Sequence, residues 1–365
     1  MIDIGQLILM GIEGKSLLPE EADFIKKENI GGIILFSKNY EDPVQLAQLV
    51  NSIQKLRKDY PLFISVDHEG GRVIRFRDHF TQFPPMLDIA KLDSPKCFYS
   101  LSKIMAEELL LCGVNFNFSP CCDILTNEKN IVIGDRAFGK DSETVSKFIS
   151  SAIRGFQTNG MVACAKHFPG HGSTYKDSHF DLPEIGKSLD ELRGKEFLPF
   201  KKAIKSRVEF IMMGHLLIPT VDPSFPASLS KKWHDILRKE LKFDKLIISD
   251  DLQMEAITKH FTLEEASTMA LDAGSDILIY RDFEHAQKGH QAIIEGLKEK
   301  KLNSGQIYEK NKRILDCKKR FFKEYKPVYV KGIEKKLNIE STKTFLKDIT
   351  AKISTKAQDK NIEAY

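Results

Sequence analysis

The chain has 365 residues, of which 42% are hydrophobic and 29% charged, as in an ordinary globular protein with one large or two medium domains. The net charge of +4 is too small to favour a nucleic-acid partner, and no apolar run reaches the roughly 18 residues that predict a membrane span. Six cysteines without framework spacing and an N-terminus without a basic leader segment predict a cytoplasmic protein with reduced thiols.

Eight short apolar runs recur along the chain, with segments of helical spacing between them. The runs are Leu7–Gly11, Gly32–Phe36, Leu62–Asp67, Val114–Ser119, Met161–Lys166, Phe210–His215, Leu246–Asp250 and Asp276–Tyr280. Each run is continuous rather than alternating, which is typical of strands buried on both faces of a parallel sheet. Eight such repeats predict an α/β fold of the TIM (β/α)8 barrel type, with an open doubly wound sheet as the alternative.

Helical spacing predicts helices in four of the connecting segments. These are Pro43–Lys58, Ser100–Cys112, Asp141–Thr158 and Ser188–Ser206. Ser188 followed by Glu191 predicts a capping box at the start of the last one. After the eighth run, Ser304 is the predicted N-cap of a helix over Gln306–Phe322.

The C-terminal segment has a different composition from the rest. It is rich in lysine and has only scattered apolar residues. We expect a catalytic domain over residues 1–325 and a basic extension over 326–365, helical or partly disordered and without a specific anionic partner.

Polar residues end five of the eight runs or follow them directly. They are Asp67, Asp123, Lys166 with His167, His215 and Asp250. In a TIM barrel these positions converge on the C-terminal face, where active sites of this fold lie. The opposite ends of the runs carry no matching set, so the pattern favours an enzyme site over a purely structural barrel.

The segment Lys166–Pro183 is the densest polar stretch, with three histidines, two lysines and two aspartates among glycines and a proline. This composition predicts a functional loop, and a solvated surface loop is the alternative. Within it, Asp177 stands two residues before His179. A carboxylate at that spacing can accept the imidazole N–H and make the histidine a proton donor and acceptor near neutral pH, although a capping role for Asp177 is as compatible with the spacing.

Metal binding is the rival interpretation of so many histidines. His167 and His171 are four residues apart, but Pro169 and Gly170 between them prevent a shared helical face. The adjacent Lys166 also disfavours a metal. We therefore expect no metal and no cofactor, and keep a metal-dependent hydrolase as an alternative.

These residues carry a family resemblance. The KHFPGHG of Lys166–Gly172 with the DSH of Asp177–His179 resembles the signature loop of bacterial β-N-acetylglucosaminidases of glycoside hydrolase family 3, which trim N-acetylglucosamine from peptidoglycan fragments. Further segments match in order up to about Phe322. They are Asp67–Arg75, Gly134–Phe138, Glu191–Arg193, Leu198–Phe200 and Ser249–Met254.

The resemblance implies a retaining mechanism with a covalent glycosyl-enzyme. Asp250 is similar to the family's nucleophile, His179 to its general acid/base and Asp177 to the partner of that histidine. Asp250 is preferred over Asp251 by the family pattern and by strand parity. An Asp–His dyad would thus replace the acid carboxylate of the usual two-carboxylate glycosidase.

The resemblance also implies a sugar-binding set. Its members are Asp67, Arg75, Arg136, Lys166 and His167. The alternative for Arg75 and Arg136 is a salt bridge that supports loops. For His171 and His215 we expect packing or supporting roles, and Asp123 is expected to orient neighbouring loops. Tyr280–Asp282 departs from the asparagine-rich pattern of many relatives, which leaves the leaving-group side of the site open.

The function hypothesis that follows is a monomeric, cytoplasmic exo-β-N-acetylglucosaminidase acting on a small carbohydrate, an N-acetylglucosamine-containing muropeptide. A glycoside phosphorylase is the alternative, because a histidine acid/base tolerates phosphate better than a carboxylate does. A catalytically inactive sugar-binding barrel is a further alternative from another class.

Overall fold

The computed structural model describes residues 2–174, 182–322 and 324–362, with side chains described as far as residue 356. Its centre is a closed barrel of eight parallel strands paired in chain order, the last strand pairing with the first. The strands are β1 (Ile8–Gly11), β2 (Gly32–Leu35), β3 (Phe63–Val66), β4 (Phe116–Asn117), β5 (Val162–Phe168), β6 (Phe210–Met213), β7 (Leu246–Asp251) and β8 (Ile277–Tyr280). The predicted TIM barrel is confirmed, and the open doubly wound sheet is excluded because β1 and β8 close the ring.

Helices surround this barrel and follow its strands. They are α1 (Pro19–Lys27), α2 (Pro43–Gln54), α3 (Met86–Ala90), α4 (Pro95–Leu111), α5 (Ser142–Gln157), α6 (Leu189–Gly194), α7 (Phe197–Lys205), α8 (Lys231–Asp235), α9 (Glu255–Thr258), α10 (Leu263–Ala273), α11 (Phe283–Lys298), α12 (Ser304–Phe321) and α13 (Glu340–Ile362). Short 3-10 segments at Ser37–Asn39 and Gly134–Arg136 lie in the loops after β2 and β4. Among the helices that the structure describes, none is both long and apolar enough to cross a bilayer.

Two of the helix predictions need correction. The segment Ser188–Ser206 forms two helices, because the backbone at Lys195 leaves the helical region between α6 and α7. The capping box of Ser188 and Glu191 is confirmed at the start of α6. The predicted N-cap Ser304 is wrong: it is the first helical residue of α12, and the Asn303 side chain accepts from the next two free backbone N–H groups.

Aromatic packing fills the amino-terminal half of the barrel. Phe63, Phe116 and Phe210 stand at the starts of β3, β4 and β6, and their ring centroids lie 4.4–5.7 Å apart. Phe322, after α12, adds a fourth ring 5.6 Å from Phe63. Burial of each such ring stabilises the fold by roughly 1.5–3 kcal/mol. This aromatic layer therefore forms a well-packed core below the polar carboxyl ends of the strands.

The segment after residue 326 packs against the barrel. Ile333, Leu337 and Ile349 are buried, and Phe345 on α13 lies with its ring 6.5 Å from that of Phe83. The apolar residues that looked scattered in the sequence therefore contribute to the core, while the lysines between them face solvent.

Candidate active site

A cavity of about 940 Å³ opens at the carboxyl ends of the strands. The structure brings six of the eight predicted site residues to its wall: Asp67, Arg75, Arg136, Lys166, His167 and Asp250. They come from the ends of β3, β5 and β7 and from the loops after β3 and β4. The other two, Asp177 and His179, lie outside the described residues.

A buried ion cluster occupies one side of the cavity. The Nζ atom of Lys166 lies 2.7 Å from Oδ1 of Asp67 and 2.6 Å from Oε1 of Glu69. Arg136 donates to both oxygens of Glu69, at 2.8 and 2.9 Å. Because Lys166 and Glu69 are almost completely buried, removal of either charge would leave its partner uncompensated in a dry environment.

The cluster is ionised at neutral pH. Burial raises the pKa of Glu69, but Arg136 and Lys166 outweigh it and hold that pKa far below its usual range. Burial lowers the pKa of Lys166, and the facing carboxylates raise it above its usual value. Glu69 received no role from the sequence, although its position two residues after Asp67 was a signal that both could face the same cavity.

Asp67 is the member of the cluster that is open to the cavity. Its carboxylate is partly exposed, and its second oxygen, Oδ2, lies 3.3 Å from Arg75. Burial raises the pKa of Asp67, but Lys166 and Arg75 outweigh it, so the group is a carboxylate. Charged donors and acceptors arranged side by side suit a ligand with several hydroxyl groups. A ligand that lacked one of these hydroxyls would leave a buried polar group of the site without a hydrogen-bond partner, which costs binding free energy.

A second network fixes the loop after β5. The buried carboxylate of Asp123 accepts from Nδ1 of His167 at 2.7 Å and from the backbone N–H of His171 at 2.6 Å. Nδ1 of His167 is thus the protonated ring nitrogen, and the ring is held at the cavity wall. Burial raises the pKa of Asp123, while the two histidines lower it to about 2. This geometry matches the loop-orienting role expected of Asp123.

Asp250 is the penultimate residue of β7 and lies on the wall opposite β3. Its Oδ1 atom accepts a 2.8 Å hydrogen bond from the backbone N–H of Asp251. The Asp251 carbonyl accepts in turn from Nε2 of His215, and Nδ1 of that ring contacts Ser228. His215 therefore helps to hold Asp251, the residue whose N–H bonds to Asp250, which agrees with the supporting role expected of it.

Asp251 is held on its other side by Arg281, which the sequence did not single out as a site residue. Nε and Nη2 of Arg281 lie 2.7 and 2.6 Å from Oδ2 of Asp251. Burial raises the pKa of Asp251, and the arginine works against that shift. Both residues line the cavity. A sequence signal existed, because Arg281 directly follows the eighth strand.

Cys121, Asp123 and His167 are the group among the described residues whose atoms could hold a metal, since they lie within 4.8 Å of one another. Binding would break the hydrogen bond between His167 and Asp123. Burial also raises the pKa of the Cys121 thiol, which disfavours the thiolate that a metal needs. The three side chains fit a structural network better than a metal site.

A TIM barrel whose carboxyl-end cavity is lined by paired carboxylates, arginines and a lysine has the form of a TIM-barrel enzyme. The chain belongs to glycosyl hydrolase family 3, because residues 2–317 match the model of the family's N terminal domain. The resemblance stated from the motifs is thereby confirmed.

Comparison with individual relatives identifies the type of glycoside hydrolase more closely. A β-hexosaminidase of Nitrosomonas eutropha is 38% identical over 279 residues, which are 74% of this chain and 79% of the relative. A solved glycoside hydrolase family 3 β-N-acetylglucosaminidase from Paenibacillus superposes with a TM-score of 0.91 and 31% identity, over 95% of this chain and 67% of the other. NagZ from Neisseria gonorrhoeae, solved with N-trifluoroacetyl-D-glucosamine, gives 0.78 and 28%, over 94% and 97%. The chain is a glycoside hydrolase of the β-N-acetylhexosaminidase type.

Proposed function

We propose that this enzyme is a retaining exo-β-N-acetylglucosaminidase that removes the non-reducing N-acetylglucosamine from peptidoglycan-derived muropeptides. The observation that carries the proposal is that the Asp250 carboxylate shares one cavity with the buried pair of Asp67 and Lys166. The related NagZ of Neisseria gonorrhoeae is known in complex with an N-acylated glucosamine, which supports the same sugar for this cavity.

Asp250 is proposed as the nucleophile. Its carboxylate attacks the anomeric carbon and forms a C–O bond while the bond to the leaving-group oxygen breaks. Oδ1 accepts a hydrogen bond from the Asp251 N–H, whereas Oδ2 accepts none from the part of the chain that the structure describes, so we assign Oδ2 as the attacking oxygen. The product of this step is a glycosyl ester, which is the covalent intermediate of a retaining glycosidase.

His179 is proposed as the general acid/base and Asp177 as its partner, on the strength of the DSH motif. His179 protonates the departing oxygen in the first step. In the second step it takes a proton from water, which attacks the same carbon and releases Asp250 and the free sugar. The overall outcome is hydrolysis with retention of the β configuration.

The sugar is proposed to bind on the side of the ion cluster. Asp67 is the partly exposed carboxylate there and can accept from hydroxyl groups, while Arg75 and Arg136 provide donors beside it. Lys166 fixes Asp67, and His167 lies on the same wall. The salt bridges that were the alternative for the two arginines exist, and both guanidinium groups nevertheless line the cavity.

We also propose that the enzyme works as a monomer in the cytoplasm. The six cysteines are all unpaired and buried. Free thiols in this number suit a reducing compartment.

The decisive experiment uses a 4-nitrophenyl N-acetyl-β-glucosaminide and the variant Asp250→Ala. We expect the rate to fall by roughly a thousandfold or more, since the nucleophile is removed. Added azide should restore turnover and give the α-glycosyl azide, because azide attacks from the vacated side. Asp244→Ala, an exposed aspartate just before β7, is the matched control and should keep the wild-type rate. Full activity of Asp250→Ala would remove the mechanism.

Product analysis separates the remaining alternatives. The wild-type enzyme is incubated with N-acetylglucosaminyl-anhydro-N-acetylmuramic acid, with and without phosphate and a chelator. Free N-acetylglucosamine in every case supports the proposal. Formation of N-acetylglucosamine 1-phosphate would show that the enzyme is a phosphorylase. A lower rate in the presence of the chelator would show that it depends on a metal. Binding of the disaccharide without any product would show that the barrel is catalytically inactive.

A further inference from the structure

The cavity has a second positively charged region outside the ion cluster, lined by two cations that follow β8 and β2. Arg281 follows β8 and Lys38 lies in the 3-10 segment after β2, and both line the cavity. In an eight-stranded barrel, β8 lies opposite β4, whose loop carries Arg136. At about 940 Å³ the cavity is near the upper end of the range for small-molecule sites, so it has room for more than one sugar ring.

The carboxylate partner of Lys38 does not face this region. Nζ of Lys38 lies 3.1 Å from Glu13, whose side chain is 68% exposed and which is not among the described residues of the cavity wall. Arg72, on another part of the rim, is paired in the same way with Asp135, which is also off the wall. Lys38 and Arg72 therefore present positive charge to the cavity while their partner carboxylates lie off its wall, which favours an anionic group at the mouth even though Asp251, the partner of Arg281, lies on the wall.

Arg281 has the free donors to bind such a group. Its Nε and Nη2 contact Asp251, and a guanidinium has five N–H donors, so three have no partner among the residues that the structure describes. Its side chain is 48% exposed. Because Asp251 fixes the guanidinium, little conformational freedom is lost when it takes a second partner.

We propose that Arg281, assisted by Lys38, binds a free carboxylate on the leaving group, such as that of a muramic acid from which the peptide has been removed, and so determines which glycosides the enzyme prefers. This inference rests on the proposed function, because it assumes that the ion cluster holds the sugar and that the leaving group extends toward β8. Arginine suits the role because its planar donors match the two oxygens of a carboxylate.

The test compares two substrates that differ in one charge. They are N-acetylglucosaminyl-anhydro-N-acetylmuramic acid and the same disaccharide with its carboxylate converted to the methylamide. For the wild type we expect kcat/KM to be about tenfold higher for the acid, as for a charge-assisted hydrogen bond. Raising the salt concentration should reduce this ratio, since the contact is partly exposed.

Variants assign the ratio to particular residues. In Arg281→Gln the ratio of kcat/KM for the acid to that for the methylamide should fall to about one, and in Arg281→Lys and Lys38→Gln it should lie between one and the wild-type value. The control is Lys312→Gln, at an exposed lysine on α12, in which the ratio should equal the wild-type value. The ratio is used because Arg281 also holds Asp251. A loss of activity caused through Asp251 lowers kcat/KM equally for both substrates and therefore leaves their ratio unchanged.

The possible failures are distinguishable. Cleavage of neither disaccharide by the wild type would overturn the proposed function and this inference together. Cleavage of both with a wild-type ratio near one, or with an unchanged ratio in Arg281→Gln, would overturn only the role of Arg281.

Discussion

The backbone N–H of Asp251 donates a 2.8 Å hydrogen bond to Oδ1 of Asp250, so the residue that follows the proposed nucleophile also holds it in place. Further hydrogen bonds hold Asp251 itself: its carbonyl accepts from His215 and from the backbone of Met254, and its carboxylate accepts from Arg281 and from the backbone of Gln253. The orientation of the reacting carboxylate thus depends on side chains from β6 and β8 as well as β7.

His215 should matter for kcat more than for KM. In His215→Leu the Asp251 carbonyl keeps the backbone N–H of Met254 but loses the donor from His215, so Asp251 is held less firmly beside Asp250. We expect a fall in kcat of roughly 10- to 100-fold. His215→Gln keeps an N–H donor and should recover part of that loss. Steady-state kinetics with thermal unfolding of each variant provide the measurement. A folded His215→Leu enzyme with the wild-type kcat would contradict the positioning role.

Lys166 should be important for both stability and binding. In Lys166→Met, of the cations that the structure describes beside them, the buried Glu69 keeps Arg136 and Asp67 keeps Arg75. We expect the free energy of unfolding to fall by about 3 kcal/mol and kcat/KM by at least roughly a hundredfold.

The control for Lys166 is Lys103→Met, which removes an exposed pair with Glu107 on α4. There the loss should stay below about 1 kcal/mol. Urea unfolding of both variants measures the two losses. Equal losses of unfolding free energy would show that the contribution of the Lys166 cluster to stability does not depend on its burial.

Asp123 should stabilise the fold through its charge. In Asp123→Asn one acceptor for the two histidines becomes a donor facing other donors, so we expect a loss of about 2–3 kcal/mol at pH 7. Asp88→Asn, at a partly exposed pair on α3, is the control and should lose much less.

The contribution of Asp123 also has a defined pH range. Its pKa is about 2 in the folded chain and 3.8 ordinarily, so the stabilisation is complete above pH 4 and is lost as the pH falls toward 2. The stability difference between wild type and Asp123→Asn should therefore shrink below pH 4. A difference that stayed constant down to pH 2 would argue against a charge effect.

Buried histidines should make the protein acid-sensitive well before its carboxylates titrate. Burial lowers the pKa of His171 and of His234 to about 4, from an ordinary value of 6.5. Since the unfolded chain takes up the proton first, stability is complete above pH 6.5 and declines as the pH falls to 4. Each histidine should account for up to about 2 kcal/mol between pH 7 and pH 5.

The histidine effect can be checked with His234→Gln, which can retain bonds to Ser230 and Ser275. Its unfolding free energy should change less between pH 7 and pH 5 than that of the wild type. His79→Asn, at an exposed position with positive φ that asparagine tolerates, should follow the wild-type curve. Parallel curves for all three proteins would refute the assignment.

The sequence by itself determined the barrel and the face that carries the site. Continuous apolar runs specify strands buried on both sides, and the polar residues at their ends, such as Asp67, Lys166 and Asp250, mark the carboxyl face of a parallel barrel. This information is local, since it depends on the period of a few neighbouring residues. The motifs around the same residues were also sufficient to identify the family.

Only the tertiary structure decided which charges meet. Glu69 pairs with Arg136, 67 positions away, and Asp123 with the ring of His167, 44 positions away. Such pairs depend on strand register and barrel closure, which no local pattern encodes. The helix cap at Asn303 rather than Ser304 has the same origin on a smaller scale. Both residues can cap a helix, and the backbone angles of the folded chain select the one that does.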